Sequence, residues 1–149
     1  MTFDESNAVK HTVVLSPDIH PIELDILSVT ASARVLMSIA SHPKTTATTL
    51  ARLATSKNSD VRAAVGENGN TPDAILHRLA TDPCADVRYS LAENHNLPVG
   101  ILRALLQDEN PYVASRAQRT LHRLLPNLVP APSEEVAATK TAPTLYVCA

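Results

Sequence analysis

Cysteine, aromatic residues and long apolar runs are all scarce in this 149-residue chain, and each scarcity removes a class of function. Two cysteines occur, Cys84 and Cys148, with no CxxC spacing. That pattern favours neither a disulfide framework nor a zinc site, and it fits a reducing compartment. Tryptophan is absent, and Tyr89 and Tyr112 are the only aromatics between residues 18 and 125. Platforms on which nucleic-acid bases stack are therefore few. No apolar run approaches the ~20 residues that cross a bilayer. Met1-Thr2-Phe3-Asp4-Glu5 lacks the positive and apolar regions of a secretory signal. There is no glycine-rich phosphate loop, no GxSxG and no Cys–His pair. These absences predict a cytoplasmic, non-enzymatic protein with no cofactor, no metal and no membrane partner.

Charge of one sign is lacking too, since the formal net charge is −2. Its distribution is uneven. Residues 1–33 hold Asp4, Glu5, Asp18, Glu23 and Asp25 against Lys10 alone, whereas residues 34–125 carry eleven Lys/Arg against eight Asp/Glu. A mildly basic body lies between acidic ends.

What the chain does have is a 26-residue self-similarity running from about Ala33 to Leu125. Val61-Arg62 returns as Val87-Arg88, and Glu67-Asn68-Gly69-Asn70-Thr71-Pro72 returns as Glu93-Asn94-His95-Asn96-Leu97-Pro98. A fixed period of this size signals stacked supersecondary units, none able to bury its apolar face alone. Each unit reads as two short helices. In the copy at 61–86, Val61 and Val65 share a face of the first, which Asp60 can cap. Asn and Gly near 66–70 suit a left-handed helix stop. Thr71-Pro72 then opens a second helix with Ile75, Leu76, Leu79 and Ala80 as its apolar stripe.

The spacing therefore predicts an all-α fold, a short α-solenoid of paired short helices with about four copies. Residues 1–17 are expected as a flexible leader. The repeat domain is expected over 18–125, with copies near 35–60, 61–86 and 87–112 and modified caps at 18–34 and 113–125. The tail, 126–149, is rich in proline and alanine and is expected to be disordered.

Val61, Arg62, Val65, Asn68, Thr71, Pro72, Leu76, Leu79, Ala80, Asp82 and Pro83, with their copies from Val87 to Asp108, resemble the leucine-rich repeat variant family. This is an α-solenoid group similar in style to HEAT repeats, and the likeness covers about 90 of the 149 residues. The resemblance implies a right-handed superhelix of alternating short α- and 3₁₀-type helices. One member type carries an iron–sulfur cluster on N-terminal cysteines; residues 1–83 contain no cysteine, so that feature does not carry over.

Candidate binding residues follow from the repeat. Arg62 and Arg88 recur at one position and read as a structural ladder, bonding a carboxylate such as Asp82 or Asp108 or a helix-end carbonyl. Asn68 and Asn94 read as turn formers at the His42 position. Arg52, Arg78 and Arg103 follow the inward Leu50, Leu76 and Leu102 and should point to solvent, where His77 and Arg116 join them. Such a track suits an acidic peptide or partner protein; a nucleic acid is the competing partner. No histidine pair has metal-ligand spacing.

Overall fold

A computed structural model describes residues 3–127 of the chain, with side chains from Ala8 onward. All secondary structure among these residues is α-helical: α1 (Phe3–Val14), α2 (Pro21–Thr30), α3 (Ala33–Ser41), α4 (Ala47–Leu53), α5 (Ser59–Glu67), α6 (Asp73–Leu79), α7 (Ala85–Glu93), α8 (Val99–Leu105) and α9 (Pro111–Leu124). Helix starts fall 26 residues apart at Ala33, Ser59, Ala85 and Pro111, and again at Pro21, Ala47, Asp73 and Val99. The second set is α-helical rather than 3₁₀, with seven residues in each of α4, α6 and α8. Helices this short are marginal by themselves, so burial supplies most of their stability.

The chain divides into two compact units, with the boundary between Ile75 and Leu76. In the first unit α3 packs against α1, α2, α4 and α5, and α4 also meets α2 and α5. Val14, Leu24, Val35, Ile39, Leu50, Val61 and Val65 form its interior and are essentially inaccessible. In the second unit α9 packs against α7 and α8, which also meet each other. Its interior is Val87, Leu91, Ile101, Leu102, Leu105, Val113, Ala117 and Leu121. Each such side chain contributes roughly 1.5–3 kcal/mol when taken from water.

Four local features differ from the expectations above. Residues 3–14, assigned to a flexible leader, form α1; Val14 is fully buried and gives that helix an anchor. The cap of α5 is Asn58, not Asp60: its Oδ1 accepts from the Asp60 and Val61 amides at 2.8 and 3.2 Å. Thr71 does not cap α6; its hydroxyl donates to the Val65 carbonyl at 2.6 Å and closes the end of α5 instead. Nor does any described residue have a positive φ. The stops at His42, Asn68 and Asn94 are extended, and a side-chain acceptor makes the turn. His42 Nδ1, Asn68 Oδ1 and Asn94 Oδ1 accept from the amides of Lys44, Asn70 and Asn96 at 3.1, 2.8 and 2.8 Å.

Cys84, the one cysteine among the described residues, is 2 % exposed and disulfide-bonded. Sparse cysteines without CxxC spacing argue against a framework of bridges but not against a single bond. The bond removes the support that unpaired thiols lend to a reducing compartment. From 128 on, the tail expected to be disordered lies outside the described residues. No helix among the described residues is long and apolar enough to cross a membrane.

Candidate interaction surface

Two kinds of polar residue occur on these helices, those bonded within the fold and those left to solvent. Arg88 belongs to the first. It enters α7 on the buried side, where its Nη1 donates to the Asp82 carbonyl at 2.7 Å. Its Nε and Nη2 grip the two carboxylate oxygens of Asp108 at 2.7 and 3.0 Å. Both side chains are nearly inaccessible, and Glu109 adds a third carboxylate contact at 3.3 Å from the exposed side. The Asp108 hydrogen bonds push the Arg88 guanidinium further above its ordinary range despite burial, so it stays charged. Arg88 thus ties the loop before α7 to the loop before α9. Arg62, 26 residues earlier, uses Nη1 on the Ser56 carbonyl at 2.8 Å, the register partner of Asp82.

Asn68 acts in the same way on a helix end. Its Nδ2 donates to the carbonyls of Ala40, in the last turn of α3, and of the C-cap His42 at 2.6 and 3.0 Å; the His42 carbonyl also accepts the Thr45 amide. Asn70 reaches the Pro43 and Thr45 carbonyls beside them. At the corresponding place in the second unit, Thr120 donates to the Ala92 carbonyl at 2.6 Å. A shorter side chain suffices there because α9 continues as a helix through this position.

Arg52 lies at the surface, as its place on the track predicts, but it is already paired within the fold. Its Nη2 donates to Asp25 Oδ1 at 2.7 Å and to the Ser28 hydroxyl, joining α4 to α2. Thr49 donates to the same Asp25 oxygen at 2.7 Å. The Thr49 hydrogen bond, then Arg52, holds the Asp25 carboxyl below its usual range. Asp25 and Ser28 have no counterpart elsewhere in the period, which is why sequence comparison between copies does not find them. Arg116 is paired as well, its Nη2 lying 2.8 Å from Glu93 Oε1.

No family model, curated protein or solved structure matches this chain.

Other basic side chains make no bond to the described residues, among them Arg34 and Lys57 in the first unit. His77 and Arg78 in the last turn of α6, and Arg103 in the last turn of α8, are exposed, and their side chains bond to no described residue. Cations suit these positions, where the helix C-terminus is partially negative. Arg103 shares its register with His77 rather than with Arg78, so Arg52, Arg78 and Arg103 do not form one straight row. Arg119, His122 and Arg123 of α9 and Pro126 just after it line an open cavity of about 390 Å³. Arg123 donates to His95 Nε2 at 2.8 Å, which fixes that imidazole as the Nδ1–H tautomer because a guanidinium only donates. No cluster of three or more His, Cys, Asp or Glu suited to a metal occurs among the described residues.

Proposed function

We propose that this protein is a non-enzymatic interaction scaffold, a short right-handed α-solenoid of 26-residue units that binds an acidic peptide or the acidic surface of a partner protein. The observation that carries the reading is the contrast between committed and uncommitted cations. Arg52, Arg62, Arg88 and Arg116 are bonded within the fold, while Arg78 and Arg103, with His77 beside them in the same helix turns, are exposed on short helices and make no ion pair among the described residues. Helices fixed before binding spare the backbone ordering cost of association, which leaves only the side chains to be immobilised. The 26-residue recurrence of helix starts supports the repeat architecture and the likeness to leucine-rich repeat variant proteins. The polar side chains at the helix ends act in capping and bracing, which supports a structural rather than a catalytic assignment.

Pull-down from a cell extract with the full chain, followed by mass spectrometry, identifies the partner. The double variant Arg78→Glu/Arg103→Glu then tests the face. Both residues are exposed, so the melting temperature should stay within about 2 °C, the shift of a small surface change in stability. Binding should fall at least ~10-fold, about 1.4 kcal/mol. Undiminished binding would place the site elsewhere. A salt-sensitive shift of a nucleic-acid probe, lost in the same variant, would instead favour the phosphate backbone as the ligand.

A further inference from the structure

The solvent face of α2 is apolar where the other second helices are polar or small. Ile22, Ile26 and Val29 follow each other at intervals of four and three, so they form one stripe along the helix. They are 63, 64 and 69 % exposed. The opposite side of α2 is already used, with Leu24 and Ser28 buried where the helix packs on α3 and α4. Twenty-six residues on, the stripe positions hold Thr48, Arg52 and Thr55; in the following copy they hold Ala74, Arg78 and Thr81. All six are exposed. Three large aliphatic side chains thus replace polar or small ones at positions that meet water in every copy. Burial of each would be favourable, and no described residue covers them.

The charges around the stripe decide what fits it. Asp18 precedes α2, and Glu23 sits in its first turn, where its carboxylate also accepts from the His20 amide. At the other end, Lys10 of α1 brings its ammonium to 3.3 Å from both the carbonyl and the hydroxyl of Thr30. Lys44 brings its ammonium to the Pro17 carbonyl, at 2.7 Å, beside Asp18, so Asp18 and Glu23 leave the start of α2 acidic by one charge against the cationic other end, with the apolar stripe between them. A partner helix of a single charge would match one end and be repelled at the other. A second α2 laid antiparallel matches both.

We propose that this face is a self-association surface, on which two copies of the chain pair through antiparallel α2 helices about a two-fold axis at Ile26. In that arrangement Ile26 meets its own counterpart and Ile22 lies near Val29 of the other copy. Glu23 approaches the other copy's Lys10. The opposed helix dipoles add to the match, and the contact closes on itself, as isologous interfaces do. The inference stands apart from the reading of His77, Arg78 and Arg103 and survives if that reading fails.

The test is the mass of the full chain in solution over a concentration series, by light scattering or sedimentation. The native chain should pass from monomer to dimer. The variant Ile22→Thr/Ile26→Arg/Val29→Thr places the α4 residues on α2; it should keep its helical circular dichroism and melting temperature. It should also stay monomeric at concentrations at least ~10-fold above the native midpoint. A short bifunctional thiol reagent should link Ile26→Cys to itself. It should link Ile22→Cys and Val29→Cys efficiently only when the two variants are mixed. A native chain that stays monomeric throughout overturns the proposal, whether or not another protein then binds the face. So does a triple variant that dimerises like the native chain, or an Ile26→Cys dimer that does not cross-link.

Discussion

Arg88 in the second unit and Arg52 in the first show one residue type doing similar mechanical work at very different depths. Each guanidinium bonds an aspartate and a backbone carbonyl or hydroxyl on another segment. Arg88 and Asp108 are 8 and 5 % exposed, whereas Arg52 and Asp25 are 45 and 46 % exposed. Depth changes what each tie is worth. A buried charge stripped of its partner has no water to turn to, while an exposed one is rehydrated at little cost. The second unit should therefore depend on its arginine and the first should not.

The strongest way to break the comparison is Arg88→Met. It leaves the Asp108 carboxylate buried without its counter-charge, and the cost should be about 3–5 kcal/mol in chemical denaturation. Adding Asp108→Asn removes the stranded charge while keeping an oxygen for the Asn110 amide, which Asp108 Oδ1 meets at 2.8 Å. The double variant should recover a large part of the loss. If Arg88→Met alone is as mild as a surface change, burial is not what sets the value of this tie.

Arg52→Ala is the matched experiment at the surface. It should cost at most about 1 kcal/mol, and less at high salt. Its pH dependence has a definite sign. The Asp25 carboxyl titrates below its unfolded value, so its contribution is complete above about pH 4, the ordinary carboxylate value, and is lost as the pH falls further. Asp25→Asn should flatten that acid limb in thermal melts. A limb unchanged in this variant would assign the acid sensitivity to other carboxylates.

The smallest effect is expected at His42, which makes in the first unit the turn that Asn94 makes in the second. Burial, then the nearby Lys44, lowers the His42 pKa. Its neutral Nδ1 accepts the Lys44 amide, so protonation removes the turn's acceptor. Stability should be complete above about pH 6.5, the ordinary imidazole value, and fall as the pH drops through the lower folded value. His42→Asn, which installs the residue found in later copies, should abolish this slope between pH 7 and 5. A slope that persists in His42→Asn would exclude His42 as its source.

Legibility in the sequence followed recurrence. The apolar positions Val35, Val61, Val87 and Val113, spaced 26 residues apart, are all buried, as their shared register predicts. Arg88 also serves as expected, because a residue that returns in each copy is serving something each copy has. The pairing of the exposed Arg52 was not legible, for the complementary reason. Its bonding partners, Asp25 and Ser28, lie on α2, where the pattern has degenerated and no copy repeats them. The apolar face of α2 was hidden in the same way, since Ile22, Ile26 and Val29 look like an ordinary amphipathic stripe until the buried side is known. α1 lies before the detectable period, and only its packing on α3 gives it a place.

By itself the sequence determined that the chain is helical, where most helices begin and which aliphatic residues face inward. Those properties follow from spacing along the chain, at intervals of three or four residues within a helix and 26 between copies. Tertiary structure alone decided which arginines are spent inside the fold and which are left to solvent. That outcome depends on whether a carboxylate or carbonyl from another helix comes within about 3 Å, the length of a hydrogen bond. Helical periodicity orients a side chain but does not say what waits at its tip.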